Sequence, residues 1–183
     1  MSDDAIPAAT LVVMREVGSG PPELLMVRRT QRMAFAAGAM VFPGGRIDEA
    51  DRNLGDDELA AAKVCAIRET IEETALPVAL SAPHDLQADL HAGEPLEDLL
   101  QRHGTDLNLD ALVPFARWRP AFHQPRRFDT LFFLARAPDG DWQLRPQAGE
   151  CESAEWLSAA DVLRRIADGT ATAIFPTLRN LER

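Results

Sequence analysis

The chain of 183 residues lacks several things, and each lack is informative. It has two cysteines, Cys65 and Cys151, too few for a disulfide framework. Neither they nor the histidines fall at zinc-finger spacing. A reduced, cytoplasmic protein is therefore expected. No apolar run approaches the ~20 residues that a membrane span requires, so no membrane partner is expected. Positive charge is scarce: 19 Lys and Arg stand against 29 Asp and Glu, for a net charge of −10. That excludes general nucleic-acid binding, which needs basic surface to neutralise phosphates. A small phosphorylated ligand, held by a few local cations, is not excluded. The opening Met1-Ser2-Asp3-Asp4 is acidic and reads as neither a secretory signal nor an Arg-rich transit peptide. Without an internal repeat, low-complexity tract or linker, residues 1–183 are expected to fold as one domain.

What is present reads as alternating strands and helices. Thr10 to Met14 and Leu24 to Val27 are short apolar runs joined by the Gly- and Pro-rich stretch 18–22, and predict two strands and a turn. Arg28, Arg29 and Arg32 follow at once. A loop over 32–38 leads to a strand at Ala39 to Phe42. Pro43-Gly44-Gly45 must turn, and its glycines let the backbone approach a ligand closely. Arg46 to Gly55 is polar and acidic and predicts a surface loop. Asp56 or Asp57 can cap a helix running to Thr74 or Ala75, with Leu59, Ala62, Ala66, Ile67 and Ile71 on its buried face. Pro77 stops it.

Residues 80–112 carry Leu86, Leu90, Leu96, Leu99 and Leu100 at helical spacings and read as a helical insertion. Further strands are expected at Val113 to Trp118, Phe128 to Ala135, Trp142 to Leu144 and Glu155 to Leu157. Phe128 to Ala135 is apolar on both faces, as a central strand should be. A helix from Ala159 to about Ala167 is capped by Ser158, and the last residues turn helical after Pro176.

The chemistry concentrates between Phe42 and Leu76. Glu69, Glu72 and Glu73 stand at i, i+3 and i+4, so a helix puts their carboxylates on one face. Like charges so spaced repel by about 0.2–0.5 kcal/mol per pair, partly offset by Arg68, which is i, i+4 to Glu72. Such a face is either a solvated acidic helix end or a seat for a hard cation such as Mg²⁺, which takes oxygen ligands. Taken singly, Pro-Gly-Gly says only that the chain turns.

The order of these pieces resembles the Nudix hydrolases. Their motif runs Gly, five residues, Glu, seven residues, Arg-Glu, an apolar residue, any residue, Glu-Glu, any residue, Gly, an apolar residue. Gly45 supplies the first glycine, and Arg68, Glu69, Glu72, Glu73 and Leu76 match the second half. The gap from Gly45 to Arg68 is nine residues longer than in the motif. Asp51 or Glu49 stands for the first Glu, Thr70 for the apolar residue, and Ala75 for the closing Gly. Ala75 is tolerable if the helix end avoids positive φ. Arg29 and Gly38 ahead of Phe42-Pro43-Gly44-Gly45 look like the coenzyme A diphosphatase branch, although that branch's second arginine falls at Ala34.

The resemblance implies an α/β/α sandwich, with a mixed, largely antiparallel sheet and the motif helix against one face. It implies Mg²⁺ or Mn²⁺ held by Glu69, Glu72, Glu73 and the Gly44 carbonyl. Arg68 would orient the glutamates. Glu69 or Glu150 would be the base; Glu150 lies six residues before Trp156, with Glu152 as the fallback. Arg29, Arg28 and Gly45 would bind substrate. The implied reaction is metal-assisted attack of water on the diphosphate of a nucleoside diphosphate linked to another moiety. Coenzyme A or an acyl-CoA is expected first, and ADP-ribose or another nucleotide sugar second. A weakly catalytic nucleotide-binding module is the alternative. The expected partners are that small molecule and, at most, a second copy of the chain in a homodimer. Arg126 and Arg127 are further phosphate candidates. Phe35 and Phe128 read as core or as a base-stacking ring, His123 as a loop residue, and Cys65 as packing beside the core rather than reacting.

Overall fold

The computed structural model describes residues 5–33, 36–120 and 127–183. Ala34, Phe35, His123 and Arg126 lie outside them, and with them the expectations made there. The strands are β1 (Ile6–Arg15), β2 (Glu23–Arg29), β3 (Ala39–Val41), β4 (Gly44–Arg46), β5 (Val113–Trp118), β6 (Phe128–Arg136), β7 (Cys151–Ser158) and β8 (Thr172–Ala173). The helices are α1 (Glu49–Leu54), α2 (Glu58–Thr74), α3 (Gln87–His91), α4 (Leu96–His103), α5 (Ala159–Ala167) and α6 (Phe175–Leu181).

The sheet is forked. β1 and β2 pair only at Met14–Leu24 and Arg15–Glu23. Beyond that hairpin β3 pairs with β2, while β4 pairs with β1 through Ala8–Arg46 to Thr10–Gly44. Phe42 and Pro43 thus carry the chain from one branch to the other, and Leu11 N–H donates to the Pro43 carbonyl at 3.0 Å. β6 runs parallel to β1 over nine residue pairs, β5 closes one edge against β6, and β7 lines the length of β2. The sheet is mixed, as expected.

Strand alternation sends side chains to two cores. One face packs Ala9, Leu11, Val13, Leu25 and Phe133 against Val64, Ile67 and Ile71 of α2 and the leucines of α3 and α4. The other packs Val12, Met26, Met40 and Phe132 against Val162 of α5 and Leu181 of α6. The α/β/α layering follows. β6 is central, sending Phe132 and Phe133 to opposite cores. Among the described residues no helix is long and apolar enough to cross a membrane.

Four expectations need correction. Pro43 to Gly45 is not a simple turn, because Gly44–Arg46 is strand β4 on β1. Arg46 to Gly55 is not a loop: it contains α1, begun by a capping box between Asp48 and Asp51. Trp142 to Leu144 forms no strand, since the backbone just beyond it is bonded to the end of α2, Arg145 N–H to the Thr74 carbonyl and Gln147 N–H to the Glu73 carbonyl. Leu59 is 44% exposed, because the buried face of α2 runs through Ala61, Val64 and Cys65 instead.

Candidate active site

Helix α2 starts where Asp57 accepts a hydrogen bond from Ala60 N–H at 2.7 Å. It ends at Ala75, which adopts φ 62° and ψ 8°. Positive φ is therefore not avoided. The left-handed residue directs the chain inward to Leu76 and Val78, both fully buried. An L-residue pays about 1–2 kcal/mol for this conformation, and glycine would not.

Two glycines bring β4 against α2. A Cβ on Gly44 would lie 2.4 Å from the Ala9 carbonyl oxygen and 2.7 Å from Thr10 Cα, so a side chain there would part β4 from β1. A Cβ on Gly45 would lie 2.3 Å from Glu69 Oε1, so the Glu69 carboxylate occupies the space this glycine leaves. Gly44 N–H donates to Glu73 Oε2 at 3.1 Å.

Arg68 organises the acids. Its Nε and Nη2 donate to the two oxygens of Asp51 at 2.8 and 2.9 Å. Its Nη1 donates to Glu69 and Glu72, each at 3.0 Å, and Nη2 also reaches the Arg46 carbonyl at 3.3 Å. All five N–H donors of the guanidinium are thereby occupied. Asp51 is 1% exposed and also accepts from Asp48 N–H. Burial opposes the charge on Arg68, but Asp51, Glu69 and Glu72 outweigh it and hold the group protonated.

The acids are undercompensated. Burial pushes Glu73 up to about 8, helped by Glu69 and opposed by Arg29 and the Gly44 N–H. Burial pushes Glu69 up to about 7 despite Arg68 beside it. Glu72 is raised as well, again by burial first. Cys65 is buried, its thiol directed to the Gly45 and Arg46 carbonyls, and burial raises it further from reactivity.

Arg28 and Arg29 part company at the end of β2. Arg28 donates to the Thr170 carbonyl at 2.7 Å and, with Glu155 and Arg165, lines a cleft of about 230 Å³ between the end of β2 and α5. Arg29 pairs with Cys151 across the sheet and acts electrostatically on Glu73. Its Nε is buried, with no hydrogen-bond partner among the described residues. Glu150 is exposed just before β7 and also bears on Glu73. The structure therefore gathers Gly44, Gly45, Arg68, Glu69, Glu72, Glu73, Arg29 and Glu150 around one end of α2, and turns Arg28 elsewhere.

A profile described as NUDIX domain matches residues 5–178 of this chain. The chain belongs to the Nudix family. A Nudix hydrolase from Alicyclobacillus acidocaldarius is 34% identical, with a TM-score of 0.85 over 98% of this chain and 90% of that one. A Caenorhabditis elegans protein named as a nudix hydrolase is 30% identical over 63% of this chain, which spans 40% of that relative's length. The NUDIX domain of Shewanella oneidensis NrtR, solved with ADP ribose, is 16% identical with a TM-score of 0.60, a likeness of fold alone.

Nudix hydrolases generally use divalent metal ions. The residues here suit one in chemistry and charge, since they offer hard carboxylate oxygens, with Asp51 and Glu73 buried and Glu69 and Glu72 partly so, against only Arg68 and Arg29. The acids are drawn to Arg68 and Gly44, and among the described residues no three His, Cys, Asp or Glu form a ready cage. Of the two acids that could stand at the motif's first acidic position, Asp51 and not Glu49 is buried against Arg68. The sequence left this open, since the longer loop removes the register. Gln87 was missed. Its amide reaches the carbonyl of Glu72, and nothing in the motif points to a residue beyond it.

Proposed function

We propose that this protein is a metal-dependent diphosphatase that hydrolyses the diphosphate bond of a nucleoside diphosphate linked to another moiety. The carrying observation is the buried, undercompensated Glu73, set beside Glu69 and the Gly44 peptide at one end of α2. Glu69, Glu72, Glu73 and Gly44 would hold Mg²⁺ or Mn²⁺. When bound, the ion supplies charge neutralisation at the phosphates and a lowered pKa for water.

The remaining roles fall to the chain itself. Glu69 and Glu150 are the two candidate bases that would take the proton from water. Arg68, fixed by Asp51, holds Glu69 and Glu72 in place. Arg29 is assigned to a phosphate, favoured by its buried Nε, which has no hydrogen-bond partner among the described residues. Gly45 leaves the space in which the Glu69 carboxylate sits. Arg28 is not assigned to the same phosphate, being committed to Thr170.

Coenzyme A or an acyl-CoA is proposed as the substrate, on the Arg29 and Gly38 spacing ahead of the motif. The test is hydrolysis with Mg²⁺ across coenzyme A, acyl-CoA, ADP-ribose, dinucleoside polyphosphates and dNTPs. The expected products from coenzyme A are 3′,5′-ADP and 4′-phosphopantetheine. Turnover of ADP-ribose alone would move the substrate within the class. Tight nucleotide binding without turnover of any compound would make the protein a binding module. Glu73→Gln should abolish turnover in a folded protein, and surviving activity would remove the proposed metal site.

A further inference from the structure

The proposed ligands occupy the last six residues of α2, the end where a helix leaves its final four carbonyls without intrahelical donors. It is also the negative end of the helix dipole, and α2 has no basic residue in its last turn. Three carboxylates there need the end of the helix to be held from outside. It is held completely. Ile71 carbonyl accepts from Ala75 N–H, Glu73 carbonyl from Gln147 N–H and Thr74 carbonyl from Arg145 N–H. Glu72 carbonyl accepts from Gln87 Nε2 at 2.9 Å and faces His91 Nε2 at 2.9 Å. A carbonyl only accepts, so that histidine nitrogen carries the proton.

Gln87 joins these contacts. It is 6% exposed. Its Nε2 also donates to the Arg145 carbonyl at 2.8 Å, and its Oε1 accepts from Arg145 Nε at 3.2 Å. Two carbonyls and one guanidinium leave the amide a single orientation. Arg145 is tied in turn to Asp85 through both carboxylate oxygens, at 2.6 and 2.7 Å. One carboxamide thus bridges the inserted helix α3, the last turn of α2 and the segment before β7.

We infer that Gln87 is a positioning residue for the metal-binding glutamates: it fixes the turn of α2 from which Glu72 and Glu73 project. The inference rests on the metal site proposed above. It gives the 80–112 insertion a role at the site without direct contact with substrate.

The test uses the full chain without substrate. Mn²⁺ binding is titrated by the electron paramagnetic resonance signal of the free ion, and hydrogen exchange is followed at the amides of Glu72 to Ala75. Gln87→Ala and Gln87→Glu both remove the donors, and each should weaken Mn²⁺ binding about 10-fold or more, the scale of outer-shell changes at metal sites. Both should also speed exchange at those amides. Leu99→Ala, in the core of the same insertion, serves as the stability control. It should lower Tm at least as far yet leave Mn²⁺ affinity within about twofold. Wild-type Mn²⁺ affinity in Gln87→Ala, or an equal loss in Leu99→Ala, overturns the inference. If the wild type binds no Mn²⁺, the metal site itself has failed. Exchange then decides positioning: faster exchange at 72–75 in Gln87→Ala supports it, and unchanged exchange overturns it.

Discussion

Replacing Glu73 by glutamine should stabilise the metal-free protein at alkaline pH and leave it nearly unchanged in acid. Glu73 is raised from its ordinary value of 4.5 to about 8, so the folded chain holds this proton more tightly than the unfolded chain does. Its contribution to stability is then fully present below about 4.5 and is lost as pH rises through 8. At about 1.4 kcal/mol per pH unit, the whole loss is about 5 kcal/mol at most. Against a total of about 5–15 kcal/mol for a typical domain, that is large. Glutamine mimics the neutral acid and can still accept from Gly44 N–H, while its new N–H₂ costs about 1 kcal/mol if unpaired. Urea unfolding in chelator from pH 5 to 9 measures this. Wild type should weaken steadily toward pH 9. Glu73→Gln should weaken less, with a residual slope from Glu69, pushed up to about 7, and from Glu72, also raised by burial. Mg²⁺ should restore the wild type at pH 9 but do little for the variant. A wild-type curve that is flat or rises over this range, or parallel curves for the two proteins, would refute the buried-charge argument.

Other perturbations separate local from global effects. Gly45→Ala should fold, because only the movable Glu69 carboxylate must shift, but its turnover should fall at least 10-fold in a kinetic assay. Gly44→Ala meets the backbone of Ala9 and Thr10 and should lower Tm much further. Arg68→Ala leaves Asp51 buried and unpaired, and should cost about 3–5 kcal/mol in urea unfolding at pH 8. Ala75→Gly should change stability by less than about 1 kcal/mol, since relief of positive φ is offset by a lost buried methyl and a freer unfolded chain. Ala75→Val should destabilise the protein, because a β-branched residue strongly resists that conformation.

The parts legible in sequence were those with local causes. Helix α2 announces itself by apolar spacing, the Asp57 cap and a following proline, and its glutamates share a face because any helix of that register must place them so. β6 shows its central position by being apolar on both faces. Helix α1 is not legible in sequence because six residues, mostly polar, give no periodicity, and its support comes from Asp51 meeting Arg68, 17 positions away. The strand expected at Trp142 failed because the neighbouring backbone is bonded to α2, which no local pattern reveals. Arg28 and Arg29 look equivalent in sequence. Strand alternation separates them, one facing Thr170 and the other bearing on Glu73.

The sequence alone thus determined the acidic helix and its register, because those depend on spacing along one chain. Tertiary structure alone decided which acid meets Arg68, how far burial raises Glu69 and Glu73, and what holds the end of α2. Those depend on desolvation and on partners as far apart as Gln87 and Arg145, 58 positions along the chain, and neither quantity exists until the chain has folded.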